Sequence, residues 1–384
     1  MPNKIWHPND INSAQWFMEG AELDEDSWQK TLIPSPGTAD FLNLPEPLKN
    51  VLRLDSPDLI VTMELNNADV PILSVEITTT TPQSQHFKQR IPRLIAAAEA
   101  DIPAIYIIPK RKRTRSGNYS LGADAYFTTS KIQQIHHIPV LVYHYPDDDG
   151  HLISDSRFPN QPRLSEASTQ RTFRTIKTVI RDAFAGRDSH SLCDDPWIRN
   201  EIAEQRAIGD TANVEIGNYS TLTLINTREL GDFLKHNTNM RTSRIRDTME
   251  KLPDRITKRA ETLIFRPSGR LFQHAGDPYV GMLAFFDYAF CRTGRGVEDR
   301  NRNIIHMPVG EKVSRILDEF ATSGYHKFWE NDCPFRIDDV PTADQQFRIS
   351  HCLQYGCVFT KIKPLRILGY FSDMIVFQDS VLVF

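Results

Sequence analysis

Short apolar runs separated by polar turns dominate the first half of the chain. Residues 58–65 (DLIVTMEL) and 71–80 (PILSVEITTT) are rich in β-branched residues, and they flank the turn-forming residues 66–70. This pattern predicts two antiparallel strands joined by a hairpin turn. Residues 83–100 then show helical periodicity, with Pro92 as a predicted kink or late start of the helix.

Two more apolar runs follow, residues 104–108 (AIYII) and 139–145 (PVLVYHY), and both are typical of buried strands. A helix is expected between them at 129–136, and a short one before the hairpin at 45–52, where Pro45 begins it. The order helix, strand, strand, helix, strand, helix, strand predicts an α/β fold with a mixed β-sheet flanked by helices.

We predict three regions along the chain. Residues 1–44 are expected to form an N-terminal arm, because Pro34 and Pro36 interrupt any long helix. Residues 45–165 form the α/β core, and residues 166–384 form a mixed, largely helical C-terminal domain. The helix expected at 168–184 fits either side of this boundary.

Composition excludes several classes of protein. No apolar run approaches the ~20 residues that cross a bilayer, so no membrane association is predicted. Five scattered cysteines fit a reducing cytosol better than a disulfide framework, which favours a cytoplasmic protein. Neither a Walker A sequence nor a GxGxxG fingerprint is present, so no nucleotide cofactor is expected. The formal net charge of −4 decides nothing about nucleic acid, because phosphates respond to local charge.

Two carboxylates in the predicted hairpin form the strongest candidate site. If residues 66–70 form the turn, Asp58 lies opposite Thr78 and diagonal to Glu76, with all three on one face. Carboxylates at this spacing, roughly 4.5–8 Å between Cβ atoms, can share one Mg²⁺. Glu64 faces the other end of the hairpin, about 20 Å away, and is excluded from the site.

At these residues the sequence resembles the PD-(D/E)XK nuclease superfamily, which includes most type II restriction endonucleases. Pro57-Asp58 and Glu76-Ile77-Thr78 carry the resemblance, together with the following helix and strand. It implies a restriction-endonuclease-like core over about a hundred residues. It also implies that Asp58, Glu76 and the Ile77 carbonyl bind Mg²⁺.

The family's lysine position holds Thr78, and a neutral hydroxyl cannot replace an ammonium as a charge stabiliser. Two explanations are open. In the first, the catalytic cation has migrated to the following helix, where Lys88 is the natural candidate and Gln85 and Gln89 are neutral ones. In the second, the protein is a catalytically inactive relative.

Basic residues suggest a polyanion partner on some faces of the protein. One cluster is the loop that begins with Lys110, Arg111 and Lys112. The other lies within residues 240–259, where phosphate neutralisation would give salt-dependent affinity for double-stranded DNA. A solvated surface helix is the alternative for this second cluster. Its basic residues are Arg241, Arg244, Arg246, Lys251, Arg255, Lys258 and Arg259.

An aromatic segment at residues 276–292 is expected to form a core helix or a dimer interface, and the arginines after it are a further candidate basic patch. These arginines are Arg292, Arg295, Arg300 and Arg302.

The leading hypothesis is a Mg²⁺-dependent endonuclease of the type II restriction kind. It would act on double-stranded DNA as a homodimer, because cutting both strands of a palindrome needs two sites. Residues 166–384 would then supply DNA binding and dimerisation. The alternatives are a catalytically inactive nucleic-acid-binding protein and a structure-specific repair nuclease.

Overall fold

The computed structural model of the chain describes residues 2–35, 38–78, 84–109, 111–114, 117–145, 147–148, 151–267, 276–308, 310, 312 and 363–384. It divides into two units, Met1–Asn213 and Val214–Phe384.

The first unit is built around a six-stranded mixed sheet with the strand order β2-β1-β3-β4-β5-β8. Strand β3 is antiparallel to both β1 and β4. Strand β5 lies between β4 and β8 and is parallel to both. Two short hairpins, β6–β7 and β9–β10, complete the strands of this unit. The strands are β1 (Asn3–His7), β2 (Trp28–Leu32), β3 (Leu59–Leu65), β4 (Ala68–Ile77), β5 (Ala104–Pro109), β6 (Arg111–Thr114), β7 (Gly117–Ser120), β8 (Val140–Tyr145), β9 (Asp147–Asp148) and β10 (His151–Leu152).

Helices cover both faces of this sheet. Alternation along β4 directs Val75 and Ile77 into a core that includes Phe173 of α6, while Glu76 faces the opposite side. On that opposite side α4 packs on the sheet through Phe87, whose ring lies 5.5 Å from that of Tyr106. The helices are α1 (Ile11–Gly20), α2 (Ala39–Leu42), α3 (Glu46–Leu52), α4 (Ser84–Glu99), α5 (Ala123–His136), α6 (Ala167–Phe184) and α7 (Pro196–Gly209).

The prediction of a mixed α/β fold is confirmed, and the region boundaries differ from the prediction. Residues 1–44 are not an arm, because they contribute β1, β2 and α1, and Trp16 and Phe17 of α1 are fully buried in the core. Helices α6 and α7 belong to the first unit, since Phe173 of α6 and Ile198 of α7 pack into the same core. The first unit therefore extends about fifty residues beyond the predicted boundary at 165.

A tight turn sets the register of the β3–β4 hairpin. Asn66 and Asn67 have φ values of 53° and 62°, which fit the two-residue turn that asparagine favours in hairpins. Leu65 consequently pairs with Ala68, and after a bulge at Val61/Thr62 Leu59 pairs with Val75. The predicted five-residue turn was therefore too long, and the register differs by two residues near Asp58. A two-residue difference leaves the side chains near Asp58 on their predicted face.

The second unit contains a five-stranded sheet in the order β11-β12-β13-β14-β15, in which β12, β13 and β14 are parallel and the two edge strands are antiparallel to their neighbours. Its strands are β11 (Leu222–Asn226), β12 (Glu261–Phe265), β13 (Arg302–His306), β14 (Met374–Val376) and β15 (Val381–Val383). Its helices are α8 (Leu230–Asn237), α9 (Thr242–Glu250), α10 (Asp254–Thr257), α11 (Gly276–Phe286) and α12 (Lys363–Phe371), and a π-helical turn spans Asp287–Cys291.

This sheet makes the described part of the second unit mixed α/β rather than largely helical. The aromatic segment is core, as Phe285, Phe286 and Tyr288 are almost completely buried. None of the helices in the described ranges combines the length and apolar character needed to cross a bilayer.

Candidate metal-binding site

Asp58 and Glu76 meet at the open end of the β3–β4 hairpin. Continuing the Leu59–Val75 pairing by one residue brings Asp58 opposite Glu76, rather than opposite Thr78 as predicted. Asp58 Oδ2 accepts a hydrogen bond of 2.7 Å from the backbone N–H of Ile77. The Asp58 side chain is 32% exposed and that of Glu76 is 1% exposed, so the pair has one open and one buried member.

A guanidinium that the sequence analysis overlooked lies between these carboxylates. Arg93 Nη1 is 2.6 Å from Glu76 Oε1, 2.5 Å from Glu76 Oε2 and 3.9 Å from Asp58 Oδ1. Its Nε donates to Oδ2 of Asp55, a third carboxylate of the site, which is buried. Arg90, one turn earlier on α4, places its Nε 3.0 Å from Glu76 Oε1. The three-residue spacing of Arg90 and Arg93 puts both arginines on one helix face, and this spacing was the available sequence signal.

The electrostatics of the site follow from this crowding. Burial raises the pKa of Asp58 to about 7, and the nearby charge of Glu76 adds to the shift. Burial alone would lower the pKa of Arg93, but Asp55, Glu76 and Asp58 together raise it well above its usual value. Arg93 therefore stays charged, while Asp58 gains or loses a proton near neutral pH.

Thr78, which stands in the family's lysine position, belongs to a buried hydroxyl network. Its Oγ1 lies 2.9 Å from the hydroxyl of Tyr106, and its carbonyl accepts a 2.8 Å hydrogen bond from the Tyr145 hydroxyl. Burial raises the pKa of Tyr106, so this network stays uncharged. Thr78 fixes the end of β4 and supplies no cation.

Lys88, the predicted replacement for the motif lysine, forms an ion pair elsewhere. Its Nζ lies 2.9 Å from Asp124 Oδ2, at the start of α5. Arg90 and Arg93 instead place positive groups against Glu76, and we assign them, rather than Lys88, as the cations of the site. The side chain of Gln85, one of the two neutral candidates on α4, lies outside the described residues.

Glu64 stands apart from the site, in agreement with the hairpin argument. It pairs with Asp69 at the turn end of the hairpin, and its Oε1 accepts a 3.0 Å hydrogen bond from the Asn67 N–H.

The backbone places a basic hairpin close to the carboxylates along the sheet. Ile77 at the end of β4 pairs with Ile107 of β5, and β5 ends at Pro109. The hairpin formed by β6 and β7 begins two residues later, with Arg111 and Lys112 in its first strand. Lys110 lies outside the described residues, as do the side chains of Arg111 and Lys112.

The predicted basic cluster of the second unit is partly exposed and partly buried. Pro253 separates α9 from α10, so residues 240–259 are not one helix. Arg259 is only 8% exposed and its Nη1 lies 2.8 Å from Asp373 Oδ1, so we remove it from the predicted DNA contacts. Arg255 is partly buried, and this burial lowers its pKa. The exposed members are Arg241, Arg244, Arg246, Lys251 and Lys258.

The arginines after the aromatic segment do not form the expected patch. Arg292 and Arg300 are buried, and both contact the carboxylate of the fully buried Asp287. Arg302 pairs with Glu261 of the neighbouring strand β12. Arg292 and Arg300 therefore form internal ion pairs of the second unit, and Arg302 forms a partly exposed one.

Mg²⁺ prefers oxygen ligands, and Asp58 and Glu76 supply carboxylate oxygens. Within the described ranges no group of three or more His, Cys, Asp or Glu side chains is arranged to hold a metal ion. The two carboxylates that face Arg93 Nη1 have the oxygen chemistry that a hard divalent cation prefers.

The chain matches no protein-family model, no curated protein and no solved structure. The assignment of this site consequently depends on its geometry and on the order of strands and helices around it.

Proposed function

We propose that the chain is a Mg²⁺-dependent endonuclease of the PD-(D/E)XK kind, which hydrolyses phosphodiester bonds of double-stranded DNA. One observation carries the proposal. Asp58 and Glu76 approach the same atom, Arg93 Nη1, at the end of a hairpin whose second strand leads through α4 into a parallel strand. The motif and its supporting elements thus occur together in space.

In this proposal Asp58 and Glu76 would hold the metal ion, and the family resemblance implies the Ile77 carbonyl as a third protein ligand. A bound Mg²⁺ lowers the pKa of a coordinated water and neutralises charge that builds on the phosphate. Asp58 is partly exposed, which leaves room beside it for a phosphate oxygen. Glu76 is buried, and its surroundings hold its carboxylate in one position. Arg90, 29% exposed beside Glu76, takes the charge-stabilising role that Thr78 cannot perform.

DNA contact is proposed for two regions, each within its own unit. The β6–β7 hairpin follows directly from β5, the strand beside the carboxylates, so its basic residues would contact the DNA backbone near the scissile bond. In the second unit, Arg241, Arg244 and Arg246 are exposed on or beside α9 and would add salt-dependent affinity. Sequence-specific cleavage of both strands would require a homodimer, which completes the type II restriction proposal.

A second candidate function is a nucleic-acid-binding protein that has lost catalysis. Two observations favour it: Thr78 stands in the lysine position, and Arg93 lies between the two carboxylates. In that case Arg93 would stay paired with Glu76, and the protein would bind nucleic acid without cutting it.

Cleavage of supercoiled plasmid by the purified full chain separates the two candidates. We expect nicking and linearisation with Mg²⁺, and none with EDTA. Asp58→Ala and Glu76→Ala should bind DNA without nicking it. Glu64→Gln is the matched control from the same hairpin and should cut like the wild type. If wild type, Asp58→Ala and Glu76→Ala all behave alike, the enzyme proposal is wrong. Preference for branched over linear DNA would instead identify a structure-specific nuclease.

A further inference from the structure

The position between the two carboxylates is already filled by a positive group of the protein itself. Nη1 of Arg93 contacts both carboxylate oxygens of Glu76 and lies 3.9 Å from Asp58 Oδ1. The Arg93 side chain is 11% exposed, so solvent screens these contacts little. A guanidinium thus takes the place where a shared cation would bind.

A divalent ion and this guanidinium cannot use the same oxygens at once. Mg²⁺ binds carboxylate oxygens at about 2.0–2.1 Å. With Nη1 at 2.5 and 2.6 Å from the two Glu76 oxygens, an ion bound between Glu76 and Asp58 would press against a like charge. Arg93 must therefore release Glu76 before a metal ion can bind there.

Asp55 offers a place to which Arg93 can withdraw. Its carboxylate already accepts a hydrogen bond from Arg93 Nε and is itself buried, with the residue only 7% exposed. Rotation of the guanidinium about its last bonds would move Nη1 from Glu76 while the contact to Asp55 remains. The planar guanidinium has five N–H donors, which allows one carboxylate to retain it when the other is lost.

We propose that Arg93 is the resident cation of the metal-free site, and that it withdraws to Asp55 when a hard divalent ion such as Mg²⁺ or Mn²⁺ binds Asp58 and Glu76. This inference rests on the proposed function and adds a competing group to it. Asp55 is a positioning residue, because it acts through Arg93 rather than on the metal ion.

The test is Mn²⁺ binding to the full-length protein, measured by titration calorimetry at fixed pH without DNA. Arg93→Gln removes the competitor, and we expect Mn²⁺ to bind at least about tenfold more tightly than in the wild type. Arg90→Gln is the matched control, because it removes an equal charge from the same carboxylate without clearing the position between Asp58 and Glu76. Its effect should be clearly smaller.

Asp55→Asn tests the other half of the proposal and does not depend on the folding of Arg93→Gln. Without the Asp55 carboxylate, Arg93 has no counter-charge to bind after it leaves Glu76, so Mn²⁺ should bind more weakly than in the wild type. Equal affinities of wild type, Arg93→Gln and Asp55→Asn would overturn the competition and leave the nuclease proposal standing. Absence of Mn²⁺ binding in every variant would overturn the nuclease proposal itself.

Discussion

The two carboxylates of the candidate site should affect stability in opposite directions. Glu76 is 1% exposed and bound by two guanidinium groups, at 2.5 Å from Arg93 and 3.0 Å from Arg90. Removing one partner of a buried ion pair costs about 3–5 kcal/mol. Arg93 retains Asp55 and Arg90 can turn to solvent, so Glu76→Gln should lower the free energy of unfolding by about 3 kcal/mol, near the bottom of that range.

Replacing Asp58 should raise the free energy of unfolding at neutral and alkaline pH, which is the opposite of the effect of replacing Glu76. Its pKa is raised from 3.8 to about 7, chiefly by burial and secondly by the charge of Glu76. A raised carboxyl pKa means that the folded state holds the proton more tightly than the unfolded state, so stability falls as the pH rises from about 4 to 7. Asp58→Asn removes this loss and can still accept the Ile77 hydrogen bond. It should be more stable than the wild type above pH 7, and the difference should shrink towards pH 4.

Urea unfolding in EDTA at pH 5 and pH 8 measures both effects. Four of the five tryptophans lie in the first unit, so fluorescence reports mainly on its unfolding; they are Trp6, Trp16, Trp28 and Trp197. Glu64→Gln, at the other end of the hairpin, should change little. The electrostatic reasoning is refuted if both site variants shift the unfolding free energy in the same direction at pH 8, or if the effect of Asp58→Asn is independent of pH.

Three further predictions concern buried polar groups. His306 is fully buried, neither ring nitrogen has a hydrogen-bond partner among the described residues, and burial lowers its pKa to about 3. Because the unfolded state binds a proton at this histidine more readily, the free energy of unfolding of the second unit should fall by up to about 1.4 kcal/mol per pH unit below 6.5. His306→Leu should abolish this loss, as measured by unfolding followed by circular dichroism. Asp287→Asn should lower the free energy of unfolding by about 3–5 kcal/mol, because Arg292 and Arg300 lose their buried counter-charge. Asp254→Asn, from an exposed pair with Lys258, is its control and should leave the melting temperature almost unchanged, so equal shifts would contradict the argument. Gln205 bonds both the N–H and the C=O of Val142, so Gln205→Ala should cost about 1–3 kcal/mol and speed amide exchange at Val142, and unchanged exchange would count against this role.

The alternation of apolar and polar residues predicted the strands of the core, because strands 58–65 and 104–108 bury one or both faces. It could not supply the register, which depends on the left-handed conformations of Asn66 and Asn67 and on a bulge at Val61/Thr62. Near Asp58 the register differs by two residues, which preserves the face of the side chains there, and for this reason the two carboxylates still meet.

The residues missed by sequence reasoning share one property, which is that tertiary contacts determine their roles. Strand β1 (NKIWH) is only five residues long and has no clear alternation, so its pairing with β3 was not visible in the sequence. Arg93 resembles any other helical arginine until the rotation of α4 places it over Glu76. Arg259 looked like a surface charge, and only the fold gives it Asp373 as a buried partner.

Crystals soaked in Mn²⁺ and measured at the manganese absorption edge would test the site most directly. We expect an anomalous peak from a manganese ion bound to carboxylate oxygens of Asp58 and Glu76, with Arg93 turned from Glu76 towards Asp55. No peak at this position under saturating Mn²⁺, with Arg93 still bound to Glu76, would contradict it.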